Sequence, residues 1–516
     1  MAALWRRLAC VHALCAACVA FVAPARADIL LLKDGRILEN VKLARVEGAV
    51  TVKLANGEVR VPEALVLELV FDDPAAYQSA TTSAEDSTKL AEGLVPFEKK
   101  WMKPEERNAL VAKRIELARK RVEERKAKLL WRNRHIEKTK SFEFESTVPP
   151  EIFPRYRDLM EIYFTDFAKR WGIKRPGNAK LKVCFYGDRA SFQRTGGAGA
   201  GVLGYFRHVE PWELNIYYDR FDPRGTELVL FHEANHYLQQ LLDPKFDMPH
   251  FPGEALAEYY GASRYDEKKK SVETGLVHDG RLVEVRTEMD GGRKMTIAEL
   301  VGGDGLYEHY TWGWSLVYFL MNQKGLDSKF QKFVLGLVKD KDVVRVPGAH
   351  GSTTVEAGEV LKAFRRFLDL EKDEALAALE QRWHAYVAGL QLQSARGLEA
   401  AAFSAANTYP ARPIKARRLF SEAIAAGSTN PAAYHRYAGL LVDNEEYDQA
   451  FAMWEKALLL DPLDAGLYAG MAEAHSRRGQ RDEAQRLARL AREIDPDAYT
   501  WGWDLEELFG DGEGGR

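Results

Sequence analysis

From Asp28 to Asp72 the chain reads DILLLKDGRILENVKLARVEGAVTVKLANGEVRVPEALVLELVFD, with apolar and polar residues alternating in short runs. Asp34-Gly35, Glu47-Gly48 and Asn56-Gly57 separate the runs and are hairpin turn signals. Four or five strands this short are expected to close on themselves as a small barrel. Residues 73–98 include the polar run SATTSAEDST and read as a linker. A helix is predicted from Pro104, with Glu105 and Glu106 suited to the positive end of its first turn. In the largest block, 141–395, FPRYRDLMEIYFTDFAKRWGI reads as an amphipathic helix, LKVCFYG as a strand and GVLGYFRHVEPWELNIYYD as a hairpin. Further helices are predicted from YTWGWSLVYFLMNQKG, SKFQKFVLGLVKD, VEAGEVLKAFRRFLDL and ALAALEQRWHAYVAGL.

Toward the C-terminal end the pattern repeats. Ala416, Ala450 and Ala484 are spaced by 34 residues, as are Ala423, Ala457 and Ala491, and Pro462 and Pro496 keep the same step. Residues 431–462, PAAYHRYAGLLVDNEEYDQAFAMWEKALLLDP, resemble a tetratricopeptide repeat, with Tyr434, Tyr437, Ala438, Ala450, Trp454, Ala457 and Pro462 at the pattern positions. Such repeats imply a solenoid whose concave face holds a peptide or protein; packing against the preceding domain is the structural alternative.

Composition narrows the class. A chain of 516 residues, 46% hydrophobic and 29% charged, describes several globular domains, and a net charge of −3 gives no bulk attraction to polyanions. The helix after Pro104 is rich in lysine and arginine, which raises an anionic partner as one reading and a solvated face as the other; no nucleic acid is expected. Arg6 and Arg7, the apolar stretch from Leu8 to Ala23, and Ala25-Arg26-Ala27 form a signal-peptide pattern, so a periplasmic or secreted protein is expected, membrane-bound only if the segment is uncleaved. Cleavage would leave Cys184 as the single cysteine, read as a buried strand thiol.

The chemistry concentrates in TELVLFHEANHYLQQLL, residues 226–242, and FPGEALAEYYGA, residues 251–262. His232 and His236 lie one helical turn apart, about 6 Å along the axis, so both imidazoles leave one face and suit a single Zn2+. Glu233, beside the first, is placed to accept a proton from water activated there. A catalytic site needs a third protein ligand, and Glu254 and Glu258, one turn apart after Pro252-Gly253, are candidates; His250 is another.

HEANH followed by GEALAEYY resembles the gluzincin, or thermolysin-like, branch of zinc metallopeptidases, and is similar to its peptidase-MA-like group of bacterial exported proteins. The resemblance spans about residues 145–325 and implies Glu254 as third ligand, Glu258 as a carboxylate steadying a ligand histidine, and Tyr310 of YTWGWSLVYFL as donor to an oxyanion, with Tyr307 and His309 as rivals. Ala255 stands where the group often has glycine, and YLQQLL after His236 excludes the metzincin pattern. It further implies that ELNIYYD is an edge strand receiving an extended peptide; Trp312 and Trp314 are candidate cleft residues, with a core position as the alternative.

The expected fold class is α+β. It comprises a signal peptide (1–27), a small SH3-like β-barrel (28–72), a linker and basic helix (73–144), a gluzincin-like zinc metallopeptidase domain (145–395), tetratricopeptide repeats (396–500) and an acidic, glycine-rich tail (501–516). The expected function is hydrolysis of peptide bonds in a peptide or protein substrate, with a possible protein partner on the repeats. The alternative is a non-catalytic cell-envelope adaptor with a structural metal.

Overall fold

A computed structural model describes residues 28–77, 84–174, 180–199, 202–209, 211–220, 222–392, 394–407 and 412–495. The signal peptide read at 1–27 and the tail at 501–516 lie outside them. Five short strands, β1 (Asp28–Leu32), β2 (Ile37–Val46), β3 (Ala49–Leu54), β4 (Gly57–Pro62) and β5 (Val66–Val70), form an antiparallel sheet in the order β4-β3-β2-β1-β5. Gly35 makes the first turn with φ of 93°, a backbone conformation that glycine adopts without steric cost. In this order β1 is central to the pairing with β2 and β5, and β4 and β5 are the outer strands. β1, DILLL, is buried on both faces, and each face meets a partner from elsewhere in the chain.

One partner comes after α1 (Ala84–Ala91) and the short hairpin of β6 (Val95–Phe97) and β7 (Lys100–Met102), which occupy the span expected as linker. It is α2 (Pro104–Leu129), whose Val111, Ile115, Ala118 and Val122 recur at helical spacing and pack on Ile29, Leu31, Val70 and Phe97. Several of its cations are used internally. Arg114 pairs with Glu98 at 2.8 Å and Arg121 with Glu68 at 2.6 Å, and Arg125 and Lys126 pair with Glu151 and Glu39. Such exposed pairs are worth about 0–1 kcal/mol each, but they fix α2 between the sheet and the next domain and leave less of its charge for an outside anion.

That domain is built on β8 (His135–Lys138), β9 (Phe142–Ser146), β10 (Leu181–Tyr186), β11 (Gly204–Arg207) and β12 (Glu213–Tyr217), with α3 (Phe153–Trp171) and α4 (Arg189–Gly196) between them. The sheet order is β11-β12-β10-β9-β8; the three inner strands are parallel and both edges antiparallel. It begins ahead of the boundary expected at 145, because β8 and β9 already pair within it. ELNIY, expected at the edge, is β12 and lies inside; the hairpin brings β11 back over it, so GYFR is the edge. Cys184 is a buried residue of β10.

α5 (Pro223–Gln240) lies against β11 and β12 and packs on α6 (His250–Gly261). The hairpin of β13 (Arg264–Asp266) and β14 (Ser271–Glu273) leads to α7 (Asp279–Asp290), α8 (Ile297–Val301), α9 (Leu306–Met321) and α10 (Leu326–Lys339). The hairpin of β15 (Val346–Pro347) and β16 (Thr353–Thr354) precedes α11 (Ala357–Phe367) and α12 (Asp373–Gly389). Trp312 and Trp314 of α9 are fully buried in the core between these helices and do not line the cleft. Gly313 between them lets α9 approach α6, since a Cβ there would meet Ala255 Cβ at 3.0 Å.

The C-terminal region is helical and repetitive: α13 (Ala395–Asn407), α14 (Pro413–Ala425), α15 (Pro431–Val442), α16 (Tyr447–Leu460), α17 (Ala465–Arg477) and α18 (Arg481–Ile494) pack in successive pairs. The periodic alanines, 416, 423, 450, 457, 484 and 491, are all buried where the helices meet. At one end α13 packs on α7, with Arg396 on Asp222 at 3.0 Å and Ser394 donating to Asp279 at 2.9 Å. At the other, Tyr468, Leu487 and Leu490 cover Leu30, Leu32, Val52 and Val61 of the N-terminal sheet. Arg36 pairs with Asp461 at 2.8 Å, and the backbone amides of Ala55 and Asn56 donate to Glu493. Both ends of the stack are therefore held by the rest of the chain.

Candidate metal centre

α5 is set by its own sequence. The Asp222 side chain accepts from Gly225 N and Pro223 takes the first turn, where its missing N–H costs nothing. Leu230, Phe231, Ala234, Tyr237 and Leu238 bury its other faces, and Asn235 donates to the Tyr163 hydroxyl at 2.8 Å. Gln239 donates to Asn235 Oδ1 and to Gly253 O, tying α5 to the turn that opens α6.

This cross-tie brings Glu254 opposite the two histidines. His232 Nε2 and His236 Nε2 are 3.2 Å apart, and Glu254 Oε2 is 3.3 Å from one and 3.4 Å from the other. Two nitrogens on one tetrahedral zinc at about 2.05 Å stand roughly 3.3 Å apart, so the spacing fits. Glu254 Oε2 is buried with no hydrogen bond, an acceptor aimed at the common focus. Among the described residues His232, His236 and Glu254 are the one group of His, Cys, Asp or Glu whose ligand atoms all lie within 4.8 Å of each other. Burial opposes the Glu254 charge, but His232 and His236 outweigh it and hold its carboxyl far below the usual range. His232 is its counterpart: burial opposes charging the ring, yet Glu254 and Glu258 hold its pKa well above the ordinary value. The cluster thus calls for positive charge at its centre.

Glu258 lies behind His232. Its Oε1 is 3.4 Å from His232 Nδ1, its Oε2 is 3.1 Å from His278 Nε2, and Arg281 donates to both oxygens at 2.9 and 3.0 Å. Burial again opposes the charge, and the two histidines hold the Glu258 carboxyl well below its usual range. An Nδ1–H donated to this carboxylate leaves the His232 Nε2 lone pair free for a cation. The Arg281 guanidinium also lies 5.4 Å from the Tyr310 ring centroid, and Tyr310 stacks on His232 with centroids 5.9 Å apart. The phenol pKa is above the ordinary value, first through burial and then through the nearby Glu254 charge.

The rivals lie elsewhere. Tyr307 is 80% exposed, His309 is buried with Nε2 on Leu300 O at 2.9 Å, and His250 is exposed with its Nδ1 3.4 Å from His309. Glu233 forms no hydrogen bond or ion pair among the described residues and lies against β11, where a Cβ on Gly204 would meet its Cγ at 3.1 Å. Beside His236 and Glu254 opens a cleft of about 700 Å³, lined also by His208, Trp212, Asp247 and His350. Sequence reasoning missed His278, Arg281 and His208. The first two sit in a segment with no motif of its own, and only the fold brings them to Glu258.

A tetratricopeptide-repeat family model matches residues 441–502, from the end of α15 past α18. No curated protein matches the chain.

Proposed function

We propose that the protein is an exported zinc-dependent peptidase of the gluzincin kind, with His232, His236 and Glu254 holding the metal. The observation that carries this reading is the convergence of two Nε2 atoms and one buried, unbonded carboxylate oxygen within 3.4 Å, next to an open cleft and to Glu233, which has no partner among the described residues. When bound, zinc supplies Lewis acidity toward a water and a carbonyl oxygen. The chain's residues do the rest. Glu233 takes a proton from the attacking water and passes it to the leaving amine. The Tyr310 hydroxyl donates to the oxyanion that develops on the scissile carbonyl. The backbone of the edge strand β11, packed beside Glu233, pairs with an extended substrate, which explains affinity without fixing sequence preference.

In the same reading 1–27 directs export, 28–72 is an SH3-like scaffold module and the repeats bind a protein partner, as such repeats generally do. With both ends of the stack engaged internally, that partner meets chiefly the middle repeat, α15 and α16. The test is cleavage of a peptide library by purified protein with and without chelator. Chelator-sensitive cleavage restored by zinc supports the peptidase; bound zinc with no cleavage of any peptide turns the reading to an adaptor with a structural metal.

A further inference from the structure

Arg281, in the first turn of α7 and three residues after its His278 N-cap, reaches two groups of the metal centre at once. Its Nε donates to Glu258 Oε2 at 3.0 Å and its Nη2 to Oε1 at 2.9 Å, a fork on both carboxylate oxygens. Glu258 is 2% exposed, and an ionised carboxylate buried to that degree needs a charged, hydrogen-bonding partner to hold its place. His232 Nδ1 at 3.4 Å and His278 Nε2 at 3.1 Å also face its oxygens, but of the three groups Arg281 alone brings a permanent charge. Fixing the plane of Glu258 from behind fixes the direction from which Oε1 meets the His232 ring.

The same guanidinium lies 5.4 Å from the Tyr310 ring centroid, and that ring stacks on His232 with an interplanar angle of 17°. Glu258 belongs to α6 and Tyr310 to α9, so one side chain of α7 holds a residue of each. α7 is itself well anchored. The Arg281 backbone N–H donates to His278 Nδ1 at 3.3 Å, Trp312 Nε1 of α9 donates to Glu288 at 2.7 Å, and Arg286 donates to Ala388 O at 2.8 Å. One turn along α7, Glu284 Oε2 accepts from Arg281 Nη1 at 2.9 Å, so every nitrogen of the guanidinium is committed to a carboxylate. Arg281 is not among the described residues lining the cleft beside Glu254, which separates it from groups that would touch a substrate.

We propose that Arg281 is a positioning residue for two separate parts of the site. Through Glu258 it orients His232 for the metal, and through the ring face it holds Tyr310 beside His232. The inference rests on the zinc-peptidase reading, but its first half needs only the metal. Lysine cannot replace Arg281 here, because a single ammonium neither spans both oxygens of Glu258 nor lies flat against a ring.

Two measurements on the full chain test it: zinc affinity by competition with a chromophoric chelator, and kcat and KM on a fluorogenic peptide at saturating zinc. Arg281→Met should bind zinc about 10–100-fold more weakly, and Arg281→Lys should recover little of the loss. In a Glu258→Gln background Arg281→Met should change the affinity less than twofold, because the carboxylate through which it acts is gone. At saturating zinc its kcat should fall about tenfold or more with KM within twofold, and that fall should vanish in a Tyr310→Phe background. An affinity within twofold of the parent, or equal losses with and without the Glu258 carboxylate, overturns the proposal; so does a lowered urea midpoint with affinity and kcat unchanged, the mark of packing alone. Should Arg281→Met fail to fold, Arg281→Lys decides by the same readouts. Zinc binding by the parent without cleavage would overturn the peptidase reading, while the affinity measurement still decides the role of Arg281 at the metal.

Discussion

Glu258 Oε1 sits 3.4 Å from His232 Nδ1, on the ring nitrogen opposite the one that faces Glu254. One histidine is thereby gripped by two carboxylates: one sets its tautomer, the other shares its focus. Glu258→Gln keeps the shape but weakens that grip, and zinc affinity should fall about 10–100-fold. Competition with a chromophoric chelator measures it; an affinity within twofold of the original would mean that Glu258 serves packing alone.

Glu233 lies outside the ligand set, so metal binding and chemistry should separate. Glu233→Gln should keep one zinc per chain while the cleavage rate drops by about 10²–10⁴-fold. Zinc analysis paired with a fluorogenic peptide assay reads both, and retained cleavage would remove Glu233 from the role of base.

Cys184 gives a pH signature independent of the metal. Burial pushes its thiol up to about 12, against about 8.5 in an unfolded chain. The fold holds the neutral thiol, so its contribution is complete below pH 8.5 and is lost as the pH rises toward 12. Urea midpoints at pH 8 and pH 10 should therefore fall less in Cys184→Ala than in the parent. A thiol-specific chromogenic disulfide at pH 8 should react only after unfolding; rapid reaction of the native protein would contradict the buried assignment.

Leu490 joins the last repeat to the first sheet at 1% exposure. Leu490→Ala should cost about 2–5 kcal/mol of whatever unit unfolds with that interface. If the sheet depends on the repeats, limited proteolysis will cut first within 28–72; unaltered cleavage there would show that the sheet stands alone.

The sequence made the α5 motif and the repeat period legible because both are local patterns: helical spacing puts His232 and His236 on one face, and a 34-residue step marks Ala416, Ala450 and Ala484. Features made by distant segments were not legible. Nothing near Glu258 announces His278 or Arg281. The two-faced burial of DILLL gives no hint that its partners are α2 and a helix beginning at Arg481, and the link from Ala55 to Glu493 spans 438 residues. Alternation identified the hairpin of β11 and β12, but not which strand lies outside, since edge position depends on pairing across the sheet. Trp312 and Trp314 illustrate the same limit: an aromatic pair near a site motif packs as readily into the core.

In the proposed site two imidazoles and Glu254 share one divalent cation. Calorimetric titration of the metal-stripped protein with zinc, beside its Glu254→Ala variant, tests it most directly. One site per chain is expected in the parent, with its loss or severe weakening in the variant. No saturable binding by the parent, or equal binding by both proteins, would contradict it.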